Sequence, residues 1–414
     1  MFTITDLFNV FAFLYVLRSV QLLLVIGRQW TSLRAEPLTA AKKHLAEQAS
    51  FFIAVPIAVF FHELGHALAV WAFGGRVLGF VYRFFWGEVE HNGAYTPTER
   101  WFVALAGTLG SLLFGLAIWW LLRRSRSSTL RFFGLRAFRF QIYFSLLYYP
   151  LFSVVLPIGD WRVIYDFTAT PILSGVTLVI HLVFLFFYWR YDRQGWFEAP
   201  SHETAVAQAE FDALERETAV QPLNADLQLH YIDLLRRDGA QNKAQTALKR
   251  FLRENPNSAT AYLELAALET GKQKTISKQA AGYAEKALQL GLPDARRTAM
   301  ARQLVAGYQL EVGQVETAVQ NYSQAVASLQ SLTTADGPES ALADARSLAS
   351  LYRLRSLAYR RQRQYDDAYK DLQQAISLAN QLGDEKMRQA FEEEMSILAN
   401  HAGHALHSAN GPLR

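Results

Sequence analysis

The chain has 414 residues, a formal net charge of +4, 51% hydrophobic residues and no cysteine. Without cysteine the chain has neither disulfide bonds nor thiolate metal sites, and the small net charge does not suggest a nucleic-acid-binding protein. The composition changes sharply along the chain. An apolar, aromatic-rich half ends near Trp196, and a polar, alanine-rich half begins near Ala199. We therefore predict a membrane-embedded domain over residues 1–198, a soluble domain over 199–400 and a flexible tail over 401–414.

Five segments of the first half are each close to the roughly 20 apolar residues that a helix needs to cross a bilayer. They are Leu7–Ile26, Ser50–Phe73, Trp101–Leu122, Phe140–Asp160 and Ile172–Trp189. The first segment lacks a basic region before it and a small-residue cleavage pattern after it, so we expect a retained helix and not a signal peptide. The predicted fold class is all-α: a polytopic bundle of about five transmembrane helices, followed by the soluble domain.

Basic residues follow the first and third predicted spans, which indicates that these two loops are cytoplasmic. They are Arg28, Arg34, Lys42 and Lys43 in one loop, and Arg123, Arg124, Arg126, Arg131, Arg136 and Arg139 in the other. The predicted protein is a multi-pass protein of the cell membrane, with its N-terminus outside and its soluble domain in the cytoplasm. A basic cluster beside a membrane typically contacts anionic lipid, so we expect the bilayer as a partner and no nucleic acid.

The second span carries His62, Glu63 and His66 in the pattern HExxH. Histidines four residues apart share one helical face, so both imidazoles can reach a single zinc ion while the glutamate lies beside them. An ionisable group at the centre of a bilayer costs about 2.5 to 3.5 kcal/mol, and this helix carries three. A bound metal ion facing the bundle interior would offset that cost, and we therefore interpret the pattern as a metal site.

A catalytic zinc usually has three protein ligands, so a third residue must come from elsewhere. The best candidate is Asp160, because Pro157 and Gly159 break an apolar segment just before it, and broken backbone at membrane depth lines a cavity or is buried in protein. The alternative is that Asp160 only caps an interfacial helix. Asp166 is a weaker candidate because it lies nearer the interface, and the lone His181 is expected to be hydrogen-bonded by a neighbouring helix.

Two further patterns concern the segment around the third span. Gly107, Ser111 and Gly115 recur at four-residue intervals, which favours the close approach of two helices and indicates packing. The segment Gly74–Arg100 alternates apolar residues with glycines, which is typical of short strands or a re-entrant hairpin at the membrane surface. An aromatic belt at the interface is the alternative for that segment.

His62–His66, Ala106–Ser111 and Leu156–Ile164 together resemble the site-2 protease family of intramembrane zinc metalloproteases, in order and in separation. The resemblance implies one Zn²⁺ per chain held by His62, His66 and Asp160, with Glu63 as the catalytic residue. It also implies hydrolysis of peptide bonds in membrane-spanning protein substrates, as part of regulated intramembrane proteolysis.

Three positions depart from the family pattern: Thr108, Ser111 and Trp161 stand where the family usually has proline, asparagine and glycine. A catalytically inactive membrane adaptor or scaffold is therefore the alternative function. A metal transporter is a weaker third hypothesis, because histidines and aspartates in membrane helices also serve ion pathways.

The soluble half shows a degenerate pattern of about 34 residues that resembles a tetratricopeptide array of about four repeats. The anchors of the second helices are Ala244, Leu248 and Phe251; Ala280, Ala284 and Ala287; Ala318, Tyr322 and Ala325; and Ala368, Leu372 and Ala375. Their uneven spacing leaves a generic helical-hairpin solenoid as a close alternative. Such arrays present concave surfaces, so we expect a protein or peptide partner, with a passive stabilising or dimerising role as the alternative.

Overall fold

The computed structural model describes residues 4–156, 159–271, 275–332 and 338–409. It divides the chain into two compact units, residues 1–243 and 244–414. The predicted boundary near residue 198 follows the change in composition, whereas the division between compact units falls inside the soluble half. The predicted tail overlaps the last helix, which extends to Ala409.

The first unit is built from helices and one hairpin. Its elements are α1 Ile4–Arg28, α2 Trp30–Arg34, α3 Ala40–Phe52, α4 Ala54–Ala72, β1 Arg76–Tyr82, β2 Gly87–Asn92, α5 Pro97–Leu122, α6 Ser128–Tyr143, a π-helical turn Phe144–Tyr148, α7 Tyr149–Val155, α8 Trp161–Ile164, α9 Pro171–Arg193, α10 Ala205–Val220 and α11 Ala225–Arg237. Helix α12, Gln241–Glu254, spans the boundary between the units.

Within the described residues, four helical stretches are long and apolar enough to cross a membrane: Val10–Arg28, Ala40–Ala72, Pro97–Leu122 and Pro171–Arg193. Half of the apolar window in Ala40–Ala72 is buried, against 11% of the window in Pro171–Arg193. Helix α4 therefore lies inside the bundle, whereas α9 exposes apolar side chains suited to lipid. The predicted fourth span differs, because its helix contains the π-helical turn and ends at Val155.

Helices α4 and α5 approach each other closely at small residues. A Cβ atom at Gly65 would meet the backbone carbonyl of Ala106, and one at Gly110 would meet that of Phe61. The start of α5 is set by a capping box in which Thr96 and Glu99 exchange hydrogen bonds, with Pro97 as the first helical residue. This packing fixes the register between the two helices that carry most of the candidate site.

Strands β1 and β2 form an antiparallel hairpin between α4 and α5, as the alternating pattern predicted. The hydroxyl of Tyr82 donates a hydrogen bond to the carbonyl of Pro56 at 2.9 Å, which ties the hairpin to α4. Gly87 begins β2 and lies directly against the side chain of Glu63, where a Cβ atom would come within 2.8 Å of the carboxyl carbon. The hairpin therefore covers the glutamate of the HExxH pattern.

The second unit is a solenoid of antiparallel helices, each packed on the next. After α12 come α13 Ala259–Thr270, α14 Lys278–Leu290, α15 Ala295–Glu311, α16 Val315–Gln330, α17 Pro338–Arg361, α18 Tyr365–Gln381 and α19 Glu385–Ala409. The predicted anchors lie on α12, α14, α16 and α18, and all twelve are buried. The alanines let neighbouring helices approach, while Leu248, Tyr322 and Leu372 fill the space between them. The prediction of a tetratricopeptide-like solenoid is confirmed.

Candidate metal centre

The structure brings three predicted ligands together from two distant parts of the chain. His62 and His66 lie on α4, and Asp160 lies just before α8. The Nε2 atoms of His62 and His66 are 2.9 and 3.1 Å from the same Asp160 oxygen, Oδ2. One donor atom from each residue falls within 4.8 Å of the others, a spacing that could hold a metal ion.

The other ring nitrogen of each histidine has its own partner. His66 Nδ1 lies 2.8 Å from the carbonyl oxygen of Val103 and therefore donates to it. His62 Nδ1 lies 3.2 Å from Ser111 Oγ, which in turn donates to the carbonyl of Gly107. With protonated Nδ1 atoms, both histidines present the Nε2 lone pair to the centre, the arrangement in which neutral imidazole binds a metal.

The small residues of α5 were predicted to serve helix packing. In the structure, some of them also shape the candidate site. A Cβ atom at Gly107 would lie 2.7 Å from His62 Nε2 and closer still to His66 Nε2. Gly107 therefore makes room for both imidazoles, and Ser111 orients one of them. Only Gly115 matches the predicted role fully, because it packs against Gln141 of α6.

Sequence reasoning missed Tyr149. Its hydroxyl lies 3.0 Å from Asp160 Oδ2 and also accepts a hydrogen bond from the Asp160 backbone nitrogen at 3.1 Å. The π-helical turn ends immediately before Tyr149, and such turns frequently occur at functional sites. The only signal in the sequence was a polar aromatic residue in an apolar segment, which is also typical of an interfacial belt.

Glu63 is 4% exposed and lies within electrostatic reach of His62, His66 and Asp160. A carboxylate beside three candidate metal ligands, shielded by the hairpin, is placed to exchange a proton with a water molecule at the centre. The arrangement therefore combines three candidate metal donors with an adjacent acid–base group.

The two remaining candidates are not part of this cluster. Asp166 Oδ1 accepts hydrogen bonds from the backbone and hydroxyl of Thr168 and from the backbone of Ala169, so it stabilises its own turn. His181 lies against the Leu146 carbonyl and the Tyr165 hydroxyl. Its neighbours satisfy it, as expected for a lone histidine in a span.

Of the three departures from the family pattern, Ser111 lies with its Oγ 3.2 Å from Nδ1 of His62, a candidate ligand. Thr108 and Trp161 are 2% and 3% exposed, and neither Thr108 Oγ1 nor Trp161 Nε1 has a hydrogen-bond partner within the described part of the chain. Trp161 joins an apolar cluster with Trp101 and Ile164, which anchors the segment that carries Asp160.

Residues 44–216 match the protein-family model described as Peptidase M50B-like. This segment belongs to the site-2 protease family. The predicted resemblance is confirmed for the M50B-like segment, which contains His62, Glu63, His66 and Asp160. Together with four candidate spans, the match makes this chain a membrane protein. No curated protein matches the chain significantly.

Solved structures are similar to the chain at low identity. The crystal structure of MamA protein is 18% identical and covers 43% of this chain and 87% of its own, with a TM-score of 0.32. BtubC (BKLC) from P. vanneervenii is 17% identical over 54% of this chain and 93% of its own, with a TM-score of 0.35. YrrB, a TPR protein with an unusual peptide-binding site, is 17% identical over 44% and 99%, with a TM-score of 0.29.

Proposed function

We propose that the chain is a zinc-dependent intramembrane endopeptidase that hydrolyses peptide bonds of membrane-spanning protein substrates. One observation carries the proposal: His62, His66 and Asp160 converge within 4.8 Å, next to the buried Glu63, in a segment that matches the M50B-like family model. A binding adaptor would need neither the convergent donors nor the adjacent carboxylate.

The donor set fits zinc. Two imidazole nitrogens and one carboxylate are typical ligands of a catalytic zinc ion, with a fourth position left for water. The contacts of Val103 and Ser111 to the Nδ1 atoms favour the tautomer in which Nε2 is free to bind. One ion per chain is expected. When bound, zinc supplies Lewis-acid polarisation of a carbonyl and lowers the pKa of water.

The residues of the chain supply the proton transfers and the positioning. We assign to the Glu63 carboxylate the role of general base, which accepts a proton from the attacking water and later passes it to the leaving amine nitrogen. Tyr149 holds the Asp160 carboxylate through its hydroxyl. The hairpin residue Gly87 covers Glu63 and limits the access of bulk water to the carboxylate.

The solenoid of residues 244–409 is proposed to bind a substrate or a regulator, since stacked helix pairs present an extended surface for a protein or peptide. We retain the orientation predicted from the basic loops, with the N-terminus outside and the repeats in the cytoplasm. The basic residues after α1 and α5 are proposed to contact anionic lipid.

The decisive experiment compares the native chain with Glu63→Gln in membranes that contain a panel of single-pass segments. Glu90→Gln, on the exposed part of β2, serves as the control, and zinc content is measured on all three purified proteins. We expect zinc in all three proteins and cleavage by the native chain and by Glu90→Gln only. A native chain without stoichiometric zinc would refute the metal site. Zinc binding without cleavage of any segment would favour the adaptor.

A further inference from the structure

Helix α9 carries a buried histidine that the candidate metal centre does not use. Most side chains of this helix are exposed, and among its described residues only Ser174 and His181 are buried. His181 is 7% exposed. An ionisable side chain inside an apolar bundle is costly, and such residues usually have a functional role. The contacts of His181 indicate which role this is.

The first contact of His181 is with the π-helical turn Phe144–Tyr148. In a regular α-helix the carbonyl of Leu146 would accept a hydrogen bond from the nitrogen of residue 150, but Pro150 has no N–H. His181 Nε2 lies within hydrogen-bond distance of that carbonyl. Because a carbonyl oxygen can only accept, Nε2 carries the proton. His181 therefore supplies the donor that Pro150 lacks.

The second and third contacts of His181 are with the short helix α8 and the residue that follows it. With Nε2 protonated, Nδ1 of the neutral imidazole is an acceptor, and the hydroxyl of Tyr165 donates to it. The imidazole also lies against the indole of Trp161, with ring centroids 4.7 Å apart and ring planes at 33°. Trp161 directly follows Asp160 in the chain. His181 therefore joins the π-helical turn to the segment that carries Asp160.

Tyr149 shows why the π-helical turn matters for the candidate metal centre. Its hydroxyl lies 3.0 Å from Asp160 Oδ2, and its ring centroid lies 5.6 Å from that of His62. The backbone nitrogen of Tyr149 donates to the carbonyl of Phe144, five residues earlier, which is the hydrogen bond typical of a π-helix. An α-helical turn is one residue shorter, and one residue corresponds to about 100° of rotation around the axis. Loss of the π-helical turn would therefore direct Tyr149 away from Asp160.

Building on the proposed function, we propose that His181 is a positioning residue for the candidate ligand Asp160. It holds the π-helical turn through the Leu146 carbonyl and so directs the Tyr149 hydroxyl to the Asp160 carboxylate. Its contact with Trp161 holds the same carboxylate from the other side in the chain. Helix α9 thus shapes the metal centre, although the three candidate ligands lie on other elements.

The test uses the full-length chain in nanodiscs of zwitterionic lipid. Zinc affinity is measured by competition with a chelator for the native chain, His181→Leu, His181→Gln and Tyr165→Phe. The amide of glutamine can both donate to a carbonyl and accept from a hydroxyl, whereas leucine can do neither. Tyr165→Phe removes only the hydroxyl that orients the imidazole, and it tests the same contact if His181→Leu does not fold. Ser174→Ala, at the other buried residue of α9, is the matched control.

Two further measurements separate positioning from a general loss of stability. The double variant His181→Leu/Tyr149→Phe shows whether His181 acts through Tyr149. Amide hydrogen exchange of residues 144–149 and 160–165, measured on the metal-free chain, reports on the π-helical turn and on α8 without any bound ion. The melting temperature of each variant records its overall stability.

We expect zinc affinity to fall about tenfold in His181→Leu and about threefold in Tyr165→Phe. It should stay within about twofold of the native value in His181→Gln and in Ser174→Ala. When Tyr149→Phe is already present, His181→Leu should reduce the affinity by less than about twofold more, because both changes remove the same contact with Asp160. Exchange at residues 144–149 and 160–165 should be faster in His181→Leu than in the native chain, and unchanged in Ser174→Ala.

Native zinc affinity in both His181→Leu and Tyr165→Phe would overturn the proposal. Equal losses from His181→Leu with and without Tyr149→Phe would also overturn it, and so would a similar loss in Ser174→Ala, since that would reflect stability alone. A native chain that binds no metal would refute the proposed function. Faster exchange at residues 144–149 in His181→Leu, but not in Ser174→Ala, would then still uphold His181 as the residue that holds the π-helical turn, whereas unchanged exchange would overturn that role as well.

Discussion

Replacing Gly107 with alanine should abolish tight metal binding without unfolding the bundle. The added Cβ would lie 2.7 Å from His62 Nε2, whereas ordinary van der Waals contact begins near 3.4 Å, so the imidazole must move by about 0.7 Å. The backbone of α5 cannot retreat freely, because Gly65 and Gly110 hold α4 and α5 in contact. Metal–ligand distances tolerate only about 0.2 Å.

The displacement exceeds that tolerance, so we expect the zinc affinity of Gly107→Ala to fall by about 100-fold, the upper end of effects seen when the shell around the ligands is disturbed. Affinity is measured by competition with a chelator, and folding by the melting temperature of the detergent-solubilised chain. Gly115→Ala creates a similar collision with Gln141 in the same stripe, but away from the histidines. It should lower the melting temperature and keep native zinc affinity. Native zinc affinity in Gly107→Ala would refute the assignment of Gly107 to the metal centre.

Three further predictions concern the positioning of Asp160, the repeat domain and the loop before α3. Tyr149→Phe removes the hydroxyl that contacts Asp160 at 3.0 Å, so zinc affinity in the chelator assay should fall about tenfold; an unchanged affinity would contradict the positioning role. In the solenoid, Arg355 and Asp371 form a two-bond ion pair with side chains 16% and 6% exposed. Asp371→Ala should destabilise the second unit by about 3 kcal/mol because it leaves a largely buried guanidinium without its carboxylate. Pulse proteolysis in urea measures this loss of unfolding free energy. Asp367→Ala removes a more exposed carboxylate and should cost under about 1 kcal/mol. Equal losses in the two variants would contradict the role assigned to the Arg355–Asp371 ion pair. Partial burial acts to raise the pKa of Glu36, but hydrogen bonds from Ser128 outweigh it and hold that pKa below its ordinary value. The stabilisation from this carboxylate is therefore present above the ordinary pKa of 4.5 and is lost as pH falls through the lower folded-state pKa. Glu36→Gln should melt lower than the native chain at pH 7, and the two melting temperatures should converge as pH falls through that folded-state pKa. A difference in melting temperature that persists in stronger acid would exclude this linkage.

The convergence of His62, His66 and Asp160 was predictable from the sequence because each position depends on local geometry. His62 and His66 share a helical face by their spacing alone, and Asp160 follows a break that Pro157 and Gly159 make visible. The repeat anchors were predictable for a similar reason, since small residues at regular intervals must face a neighbouring helix. Their burial on α12, α14, α16 and α18 follows from that periodicity.

The residues that orient the candidate ligands were not predictable, because their contacts depend on how the helices pack. Val103 contacts His66 through its backbone carbonyl, which every residue has, so the sequence does not mark it. Ser111, which contacts His62, cannot be told apart in the sequence from other small residues of a helix-packing stripe. Tyr149 reaches Asp160 only after a π-helical turn has changed the direction in which the helix presents its side chains.

The predicted fourth span ends early for a physical reason. Helix α6 carries Arg136 and Arg139, which form ion pairs with Glu47 of α3 and Asp192 near the end of α9. These charges belong at the polar end of the bundle, so only the segment from about Phe140 to Val155 is left at apolar depth. That segment is shorter than a bilayer requires. The sequence places a break at Pro157 and Gly159, and the residues that follow it belong to the separate short helix α8.

The same break explains how a carboxylate can lie opposite two histidines inside an apolar bundle. A continuous helix through residue 160 would satisfy its own backbone hydrogen bonds. The helical period alone would then set the direction of the Asp160 side chain. Ending α7 at Val155 lets the chain turn, with Gly159 at a φ of 91°, so that Asp160 meets the histidines and its backbone nitrogen binds Tyr149. Lipid cannot hydrogen-bond the freed backbone, so such a turn is stable only against protein or water. The buried Trp161 and the hydroxyl of Tyr149 supply the protein side.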